Sequence, residues 1–334
     1  MKSIKLLDCT LRDGGSINNG LFGYSNILKI CQFLNDANIE IIETGFLYNN
    51  VIKDKNSTIN SDINFFNEIT SKIKNKNCKT FTMIDFAKFN TKNFDLRKRN
   101  SLDGIRIMFK KEKLSDVLDF SYKLKELNYE LILNPVSITT YNDNELKNLL
   151  KEVNNISPNA VYIVDTYGLL DKDETLEYFK NFDAILNKNI KVGYHSHNNR
   201  QLSLSNSIEL INNAHNRDLI IDTALYGMGK RAGNTPTELM ANHLNSHHNF
   251  NYDLNKLTQI INENILPLKD KYEWGYSIIH YIAAINKCHS DYVTYLYKTR
   301  KFSIDKISII LKEIEENKKL TYDNTYITKL ADKS

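Results

Sequence analysis

The sequence lacks the features that mark membrane and nucleic-acid-binding proteins. No uncharged apolar stretch reaches the roughly 18 residues of a membrane-spanning helix, and the N-terminal residues run directly into a strand-like segment instead of an apolar signal sequence. The 44 basic and 40 acidic residues leave a net charge of only +4. Since so small an excess favours neither nucleic acid nor a membrane surface, we expect a small-molecule partner.

Cysteine is scarce as well. The four cysteines, at positions 9, 31, 78 and 288, show no paired short spacing and no extracellular disulfide framework. They are expected to be free thiols in a reducing compartment, which predicts a cytoplasmic protein. A dinucleotide-binding glycine fingerprint after the first strand is also missing, and this argues against an open, doubly wound sheet.

What the sequence contains is an alternation of short β-rich runs and longer amphipathic segments. Apolar residues at helical spacing separate the runs, so the strands are expected to be parallel. Eight such units favour a closed α/β fold, a (β/α)₈ TIM barrel. The eight predicted strands cover residues 4–11, 39–46, 79–86, 104–109, 130–139, 160–168, 190–198 and 219–227.

The strand pattern stops before the C-terminal part of the chain. Residues 254–266, 278–297 and 304–316 are predicted to form helices that pack on the barrel. The expected organisation is therefore a catalytic barrel over residues 1–250 and a C-terminal helical extension over residues 251–334.

Polar residues stand at the predicted C-terminal ends of the strands, where barrel enzymes place their chemistry. In the run His195-Ser196-His197, two histidines two apart on a strand point to the same side and can reach one metal ion. Taken alone, the run is equally typical of two buried or surface histidines.

Two glycine-containing segments add to this pattern. Arg12 and Asp13 end the first strand before Gly14 and Gly15, although the pair could simply be an ion pair that starts a loop. The loop at 227–234 is similar to a phosphate-binding loop but lacks the P-loop spacing. After it, Thr235 and Glu238 have the spacing of a capping box, which predicts a helix start there.

Together these segments resemble the metal-dependent barrel lyases and synthases, a family that includes hydroxymethylglutaryl-CoA lyase, isopropylmalate synthase and 4-hydroxy-2-oxovalerate aldolase. The resemblance covers residues 4–240. Its motifs are D-C-T-L-R-D-G (8–14), I-E-T-G-F (42–46), V-D-T-Y-G (164–168), H-S-H-N-N (195–199) and G-M-G-K-R-A-G-N-T-P-T-E (227–238).

The resemblance implies a divalent metal held by Asp13, His195 and His197, with Asn234 as a further ligand in some members. Arg12 would then hold the enolate oxygen that develops on the substrate. Mixed oxygen and nitrogen ligands suit Mn²⁺, Mg²⁺, Zn²⁺ or Co²⁺, of which Mn²⁺ is favoured here.

Within the family, the unbroken glycine-rich motif is closer to the pyruvate aldolases. The implied function is aldol cleavage or condensation of a 4-hydroxy-2-oxo acid, with an aldehyde as the second reactant, through a metal-bound pyruvate enolate. The aldolases carry a histidine soon after Arg-Asp-Gly, whereas here Ser16 stands in that neighbourhood. The general base is therefore not identified by the motif.

Candidate acid–base groups lie in the helical extension, where the aldolases place a tyrosine. They are His280, Tyr281 and His289, each of which could equally be a packed helix residue. Glu43 and Thr166, at the ends of the second and sixth strands, are candidates for substrate contacts or for hydrogen bonds inside the barrel.

Three other functions remain open. One is an acyl-CoA-dependent Claisen-type synthase or lyase, one is a Schiff-base aldolase that uses Lys110, and one is a barrel without catalytic activity. The resemblance further implies a homodimer, and a dehydrogenase partner is known for the resembling aldolases.

Overall fold

A computed structural model describes residues 3–89 and 94–333. Nine strands, all paired in parallel, form one sheet, in which β1 pairs with both β2 and β9 and so closes a barrel. The chain is a (β/α)₈ TIM barrel with C-terminal helices, as predicted. The strands are β1 (Ile4–Asp8), β2 (Ile41–Leu47), β3 (Ile59–Asn60), β4 (Lys79–Asp85), β5 (Gly104–Phe109), β6 (Glu130–Pro135), β7 (Ala160–Asp165), β8 (Lys191–Ser196) and β9 (Leu219–Thr223).

The short strand β3 does not belong to the barrel wall. It pairs only at Phe46 and Leu47, the last residues of β2, and it was not predicted from the sequence. The other eight strands correspond to the eight predicted runs, although most of them end earlier because the chain turns into the loops that form the barrel mouth.

Helices follow most of the strands and cover the outside of the barrel. They are α1 (Tyr24–Asp36), α2 (Ile63–Lys72), α3 (Leu114–Glu126), α4 (Asp143–Ile156), α5 (Lys172–Ile185), α6 (Ser203–Asn213) and α7 (Thr237–His248). The prediction of a helix between every two strands is wrong between β4 and β5, where the described residues contain only the short 3-10 turn Phe86–Lys88.

Local sequence explains where several helices begin. Asn142 with Glu145, and Asp171 with Glu174, form capping boxes that satisfy free N–H groups at the starts of α4 and α5. The predicted capping box at α7 is wrong, because the helix starts one residue later, at Thr237, and the Glu238 carboxylate instead accepts a hydrogen bond from the Tyr226 N–H (3.0 Å).

The C-terminal part is helical, as expected. The first two helices below are joined by a π-helical stretch at Ile261–Ile265, so residues 254–269 form one continuous helix that contains the predicted 254–266. The helices predicted over 278–297 and 304–316 are interrupted or shorter. The C-terminal helices are α8 (Leu254–Ile260), α9 (Leu266–Lys269), α10 (Ile278–Ile285), α11 (Ser290–Thr294), α12 (Ile304–Lys312) and α13 (Asn324–Lys333). The single helix predicted over 278–297 is interrupted before α11, since Lys287 has a positive φ of 51°.

In the described residues, two large apolar cores and two smaller clusters account for the packing, and one of the smaller clusters, with Phe81 and Tyr162, consists mainly of residues from the barrel strands. The barrel core extends through α8 to Trp274, whereas residues from Ile282 onward form a second core, with Tyr292 and Leu296 at its centre. The division at residue 250 stays a prediction. Tyr167, Leu169, Ala284 and Leu320 pack where the second core meets the barrel mouth.

Among residues 3–89 and 94–333, no helix is both long and apolar enough to cross a membrane. All four cysteines are buried free thiols, as predicted.

Candidate metal centre

Two turns at the barrel mouth place a carboxylate against two imidazoles. After β1 the chain turns tightly, as the N–H groups of Arg12 and Asp13 both donate to the Cys9 carbonyl (3.1 and 2.8 Å). His195 lies on β8 and His197 directly follows that strand. Asp13, His195 and His197 each offer one ligand atom, and these atoms lie within 4.8 Å of one another. All three side chains are buried.

Both imidazoles are oriented by a hydrogen bond at Nδ1. His195 Nδ1 lies 2.8 Å from Asp222 Oδ2, and His197 Nδ1 lies 3.3 Å from the Gly233 carbonyl. A proton on Nδ1 leaves the Nε2 lone pair of each ring for a metal, which is the usual arrangement of histidine ligands.

The protonation states of His197 and Asp13 favour the binding of a cation. Burial, above all, lowers the pKa of His197 to about 3, so its imidazole is neutral near pH 7. Burial alone would raise the pKa of Asp13, yet His197, Arg12 and His195 lower it below its ordinary value. Since His197 is itself neutral, the charge that keeps Asp13 ionised at neutral pH is mainly that of Arg12, whose Nη1 lies 3.0 Å from Asp13 Oδ1.

Asn234 completes the group. Its Nδ2 donates to Asp13 Oδ2 (2.7 Å) and to the Met228 carbonyl (2.9 Å), so the amide orientation is determined by two acceptors. Its Oδ1 is buried and accepts no hydrogen bond from any described residue. A buried acceptor without a partner costs free energy, and a cation beside Asp13 would supply that partner. The residues present therefore fit a divalent metal.

A second set of donor atoms, from Cys9, His195 and Asp222, is also close enough to hold an ion. There, however, Asp222 Oδ2 already contacts Arg106 Nη2 (2.7 Å) and His195 Nδ1 (2.8 Å). Burial raises the pKa of Cys9 well above its usual value, which keeps the thiol protonated. This set is a poor metal site because its ligands are neutral or already paired.

An ion-pair network inside the barrel supports the site. Glu43 Oε2 lies 2.7 Å from Arg12 Nε and 3.3 Å from Arg106 Nη1, and Arg106 continues to Asp222 and Asn134. With Asp13 included, two guanidinium groups face three carboxylates, so the network carries one net negative charge.

Arg106 was not among the residues predicted from the sequence. It is the only charged residue in β5, where it stands between two isoleucines, and it is completely buried. Its guanidinium carbon lies 4.0 Å from the centre of the Tyr162 ring. A charged residue in an otherwise apolar barrel strand is the pattern that could have identified it.

The other predicted residues lie around this centre. Glu43 holds Arg12, and Thr166 Oγ1 accepts a hydrogen bond from the Ser137 N–H (2.7 Å). Ser16 is exposed. Lys110 is also exposed and lines a groove of about 770 Å³ between the barrel and the C-terminal helices.

The C-terminal helices are connected to the mouth through Arg231. Its Nε donates to Ser290 Oγ (2.8 Å) at the start of α11, and its Nη1 donates to the Thr166 carbonyl (2.9 Å). His289 packs its ring edge-on against Tyr167, at 5.3 Å between centres.

The two candidate acid–base residues of α10 differ in their surroundings. His280 is half-buried, its Nδ1 has no hydrogen-bond partner among the described residues, and burial, with the charge of Arg231, lowers its pKa to about 4. Tyr281 is 37% exposed, and its ring lies 6.4 Å from that of Tyr276.

A closed parallel barrel whose mouth gathers ionised, buried and oriented groups of this kind is the scaffold of an enzyme. Residues 110–263 match the family model described as HMGL-like. The resemblance inferred from the sequence is thereby confirmed.

Named relatives agree with this assignment. The chain is 24% identical over 72% of its length to a 4-hydroxy-2-oxovalerate aldolase of Geobacillus genomosp. 3, covering 69% of that protein. It is 23% identical over 70% of its length to an oxaloacetate decarboxylase of Mycobacterium tuberculosis, covering 68% of it. Among solved structures, the N-terminal domain of a candidate aldolase from Bacteroides vulgatus superposes with a TM-score of 0.76 at 26% identity, over 93% of this chain and 100% of that one. The protein is an enzyme of the metal-dependent aldolase and lyase kind.

Proposed function

We propose that this enzyme cleaves the C3–C4 bond of a 4-hydroxy-2-oxo acid to give pyruvate and an aldehyde, or forms that bond from the same two compounds. The observation that carries the proposal is the buried group of Asp13, His195 and His197 next to Arg12. The names of the aldolase relatives support the substrate class.

The metal would be held by Asp13, His195, His197 and the Oδ1 atom of Asn234. When bound, a divalent cation acts as a Lewis acid that draws electron density from the 2-oxo group. Mn²⁺ is favoured, and Mg²⁺, Zn²⁺ and Co²⁺ suit the same donor set.

Arg12 is placed to stabilise negative charge on the substrate. Its Nε and Nη1 are engaged by Glu43 and Asp13, whereas its buried Nη2 lies 3.6 Å from Asp222 Oδ2 and has no hydrogen-bond partner among the described residues. This N–H group is available to donate to the C2 oxygen as the C3–C4 bond breaks and that oxygen becomes an enolate. Glu43 positions the guanidinium, and the Thr166 hydroxyl proton remains available for a substrate carboxylate because its oxygen already accepts from Ser137.

Charge balance favours the same substrate class. The network of two arginines and three carboxylates has one net negative charge, so a divalent cation makes it singly positive. A 2-oxo acid with one carboxylate then brings this network to neutrality, and the positive charge of Arg231 at the mouth further favours an anionic substrate.

Cleavage of an aldol also requires that a base take the proton of the C4 hydroxyl. His280 is the candidate that the extension offers, because its half-buried ring has a nitrogen, Nδ1, without a hydrogen-bond partner among the described residues, although burial and the charge of Arg231 make it a weak base. Tyr281 and His289 remain weaker candidates, since Tyr281 is more exposed and the His289 Nδ1 already accepts a hydrogen bond from the Asp291 N–H (3.2 Å).

A second candidate reaction is decarboxylation of a 3-carboxy-2-oxo acid. It needs the same metal and Arg12 but no base on a hydroxyl group, and Ser16 leaves the turn after β1 without an imidazole. The oxaloacetate decarboxylase among the relatives supports this alternative.

One set of assays separates the candidates. The Mn²⁺-loaded protein is incubated with 4-hydroxy-2-oxopentanoate or with oxaloacetate, and pyruvate is measured with lactate dehydrogenase and NADH. Pyruvate with acetaldehyde supports the aldolase, and pyruvate with CO₂ above the metal-only rate supports the decarboxylase.

Controls address the remaining hypotheses. Thiol release from acetyl-CoA with a 2-oxo acid would favour the Claisen-type reaction, and borohydride trapping on Lys110 would favour a Schiff base. A metal-loaded protein without any of these activities would favour a non-catalytic barrel. The homodimer and a dehydrogenase partner remain predictions, to be tested by light scattering and by co-purification with an aldehyde dehydrogenase.

A further inference from the structure

Three imidazoles form a second cluster on α7, away from the barrel mouth. The ring centres of His243 and His247 lie 4.7 Å apart, and those of His243 and His248 lie 5.6 Å apart. The helix starts at Thr237, three residues after Asn234, and rises about 1.5 Å per residue, which puts the cluster about 9 to 16 Å farther along the helix axis. The cluster is therefore separate from the site of the proposed reaction.

The spacing of the cluster suits chelation. His243 and His247 are four residues apart, so their side chains project from the same side of the helix. A pair of histidines with this spacing holds zinc in helical metalloprotease motifs. The close approach of the two rings means that little side-chain rotation is needed to direct a nitrogen of each toward one ion.

The cluster contains an unpartnered polar atom. His243 Nε2 is buried and makes no hydrogen bond to any described residue. Leaving a buried ring nitrogen without a partner is unfavourable, whereas coordination would satisfy it. The neighbouring His247 is exposed, so an ion can reach the cluster from solvent.

The end of the helix adds a favourable electrostatic term. His247 and His248 lie in the last turn of α7, which ends at Asn249 with a φ of 56°. The carbonyl groups at a helix C-terminus carry partial negative charge, and this stabilises a cation placed there.

We propose that His243 and His247, with His248 beside them, bind a second divalent transition-metal ion on the outer surface of the barrel. Imidazole nitrogens favour Zn²⁺, Ni²⁺ and Cu²⁺ over Mg²⁺ and Ca²⁺, which prefer oxygen ligands. The proposal does not depend on the reaction at the barrel mouth.

The test is to count bound Ni²⁺ ions by equilibrium dialysis of the full-length chain. The His243→Ala/His247→Ala variant is expected to bind one ion fewer than the wild type. Alanine favours the helix, so the variant should fold, and circular dichroism melting in chelator checks this. The exposed, isolated His215 provides the matched control, and His215→Ala should retain the full number of ions.

A second background separates this site from the barrel site. In the Asp13→Ala/His195→Ala variant, the ion on α7 should remain, and addition of the two α7 substitutions should remove it. Ni²⁺ should also raise the melting temperature of that background variant, and Mg²⁺ should not. Equal ion counts in the wild type and the α7 double variant, or an equal loss in His215→Ala, would overturn the proposal.

Discussion

At the scale of single residues, metal binding and rate enhancement are assigned to different groups. Asp13 and His195 are proposed ligands, so Asp13→Ala or His195→Ala should remove both metal and activity. Arg12→Ala should keep the metal, since a bound divalent cation itself holds Asp13 ionised, and lower kcat by roughly 10²–10³, the usual cost of one donor to a developing oxyanion. Elemental analysis and pyruvate release measure the two effects. Active wild-type protein without metal would contradict this assignment.

Arg106 is expected to act mainly on stability. Arg106→Met would leave Glu43 and Asp222 with less compensation in a buried environment, which typically costs about 3–5 kcal/mol. Urea unfolding of the variant measures the change in the free energy of unfolding. The matched substitution Arg99→Met, at an exposed position, should change it by less than about 0.5 kcal/mol. Similar values for the two variants would show that the buried network contributes little.

At the scale of elements, the loop after β9 depends on one glycine. A Cβ atom on Gly229 would stand 2.1 Å from Asn234 Nδ2 and 2.7 Å from Asp13 Oδ2. Gly229→Ala should therefore displace both side chains and weaken metal binding by roughly 10–100-fold, as other losses of ligand orientation do. Titration with Mn²⁺ measures the affinity.

Lys230→Ala is the control for this loop. Its side chain is exposed, and its backbone N–H donates to Asp13 Oδ2 (3.3 Å), a contact that alanine preserves. The side-chain charge also acts on Asp13, and since that charge opposes a bound cation, its loss does not weaken metal binding. Its Mn²⁺ affinity should stay within a few-fold of the wild type. If Gly229→Ala bound Mn²⁺ as tightly as Lys230→Ala, the close packing around Asn234 would not be needed for the site.

The elements also show where sequence reasoning succeeds. The strands could be predicted because the spacing of apolar residues and the apolar content of a short run are local properties of the sequence. A buried parallel strand shows both properties. The break between α10 and α11 was not predictable. The apolar spacing continues across Lys287, whereas the chain has a positive φ at this residue, between Ala283 and Cys288 of the second core.

At the scale of the whole molecule, burial of Asp8 makes stability depend on pH. Burial raises the pKa of Asp8 to about 6 from an ordinary value of 3.8, despite hydrogen bonds from Thr237 and Thr10. The unfolded chain then ionises first, so this residue's contribution to stability is present below about pH 4 and is lost as the pH rises to about 6. Linkage puts the loss at up to about 3 kcal/mol.

Asp8→Asn tests this dependence, since an amide cannot ionise and its oxygen can still accept from the Thr10 N–H. The free energy of unfolding, measured by urea between pH 4 and pH 7, should decrease less for the variant than for the wild type. Parallel curves for the two proteins would mean that Asp8 does not titrate in this range.

The sequence by itself predicted the barrel and the meeting of Arg12, Asp13, His195 and His197 at its mouth, which the structure shows. These depend on local spacing, because strand periodicity sends residues two apart to one side and parallel strands end at one face. Only the tertiary structure decided which groups complete the site. Arg106 meets Asp222, the Asn234 amide turns its oxygen inward, and Arg231 joins α11 to the mouth. Such contacts join residues far apart in the chain, and their partners are selected by packing and charge in three dimensions.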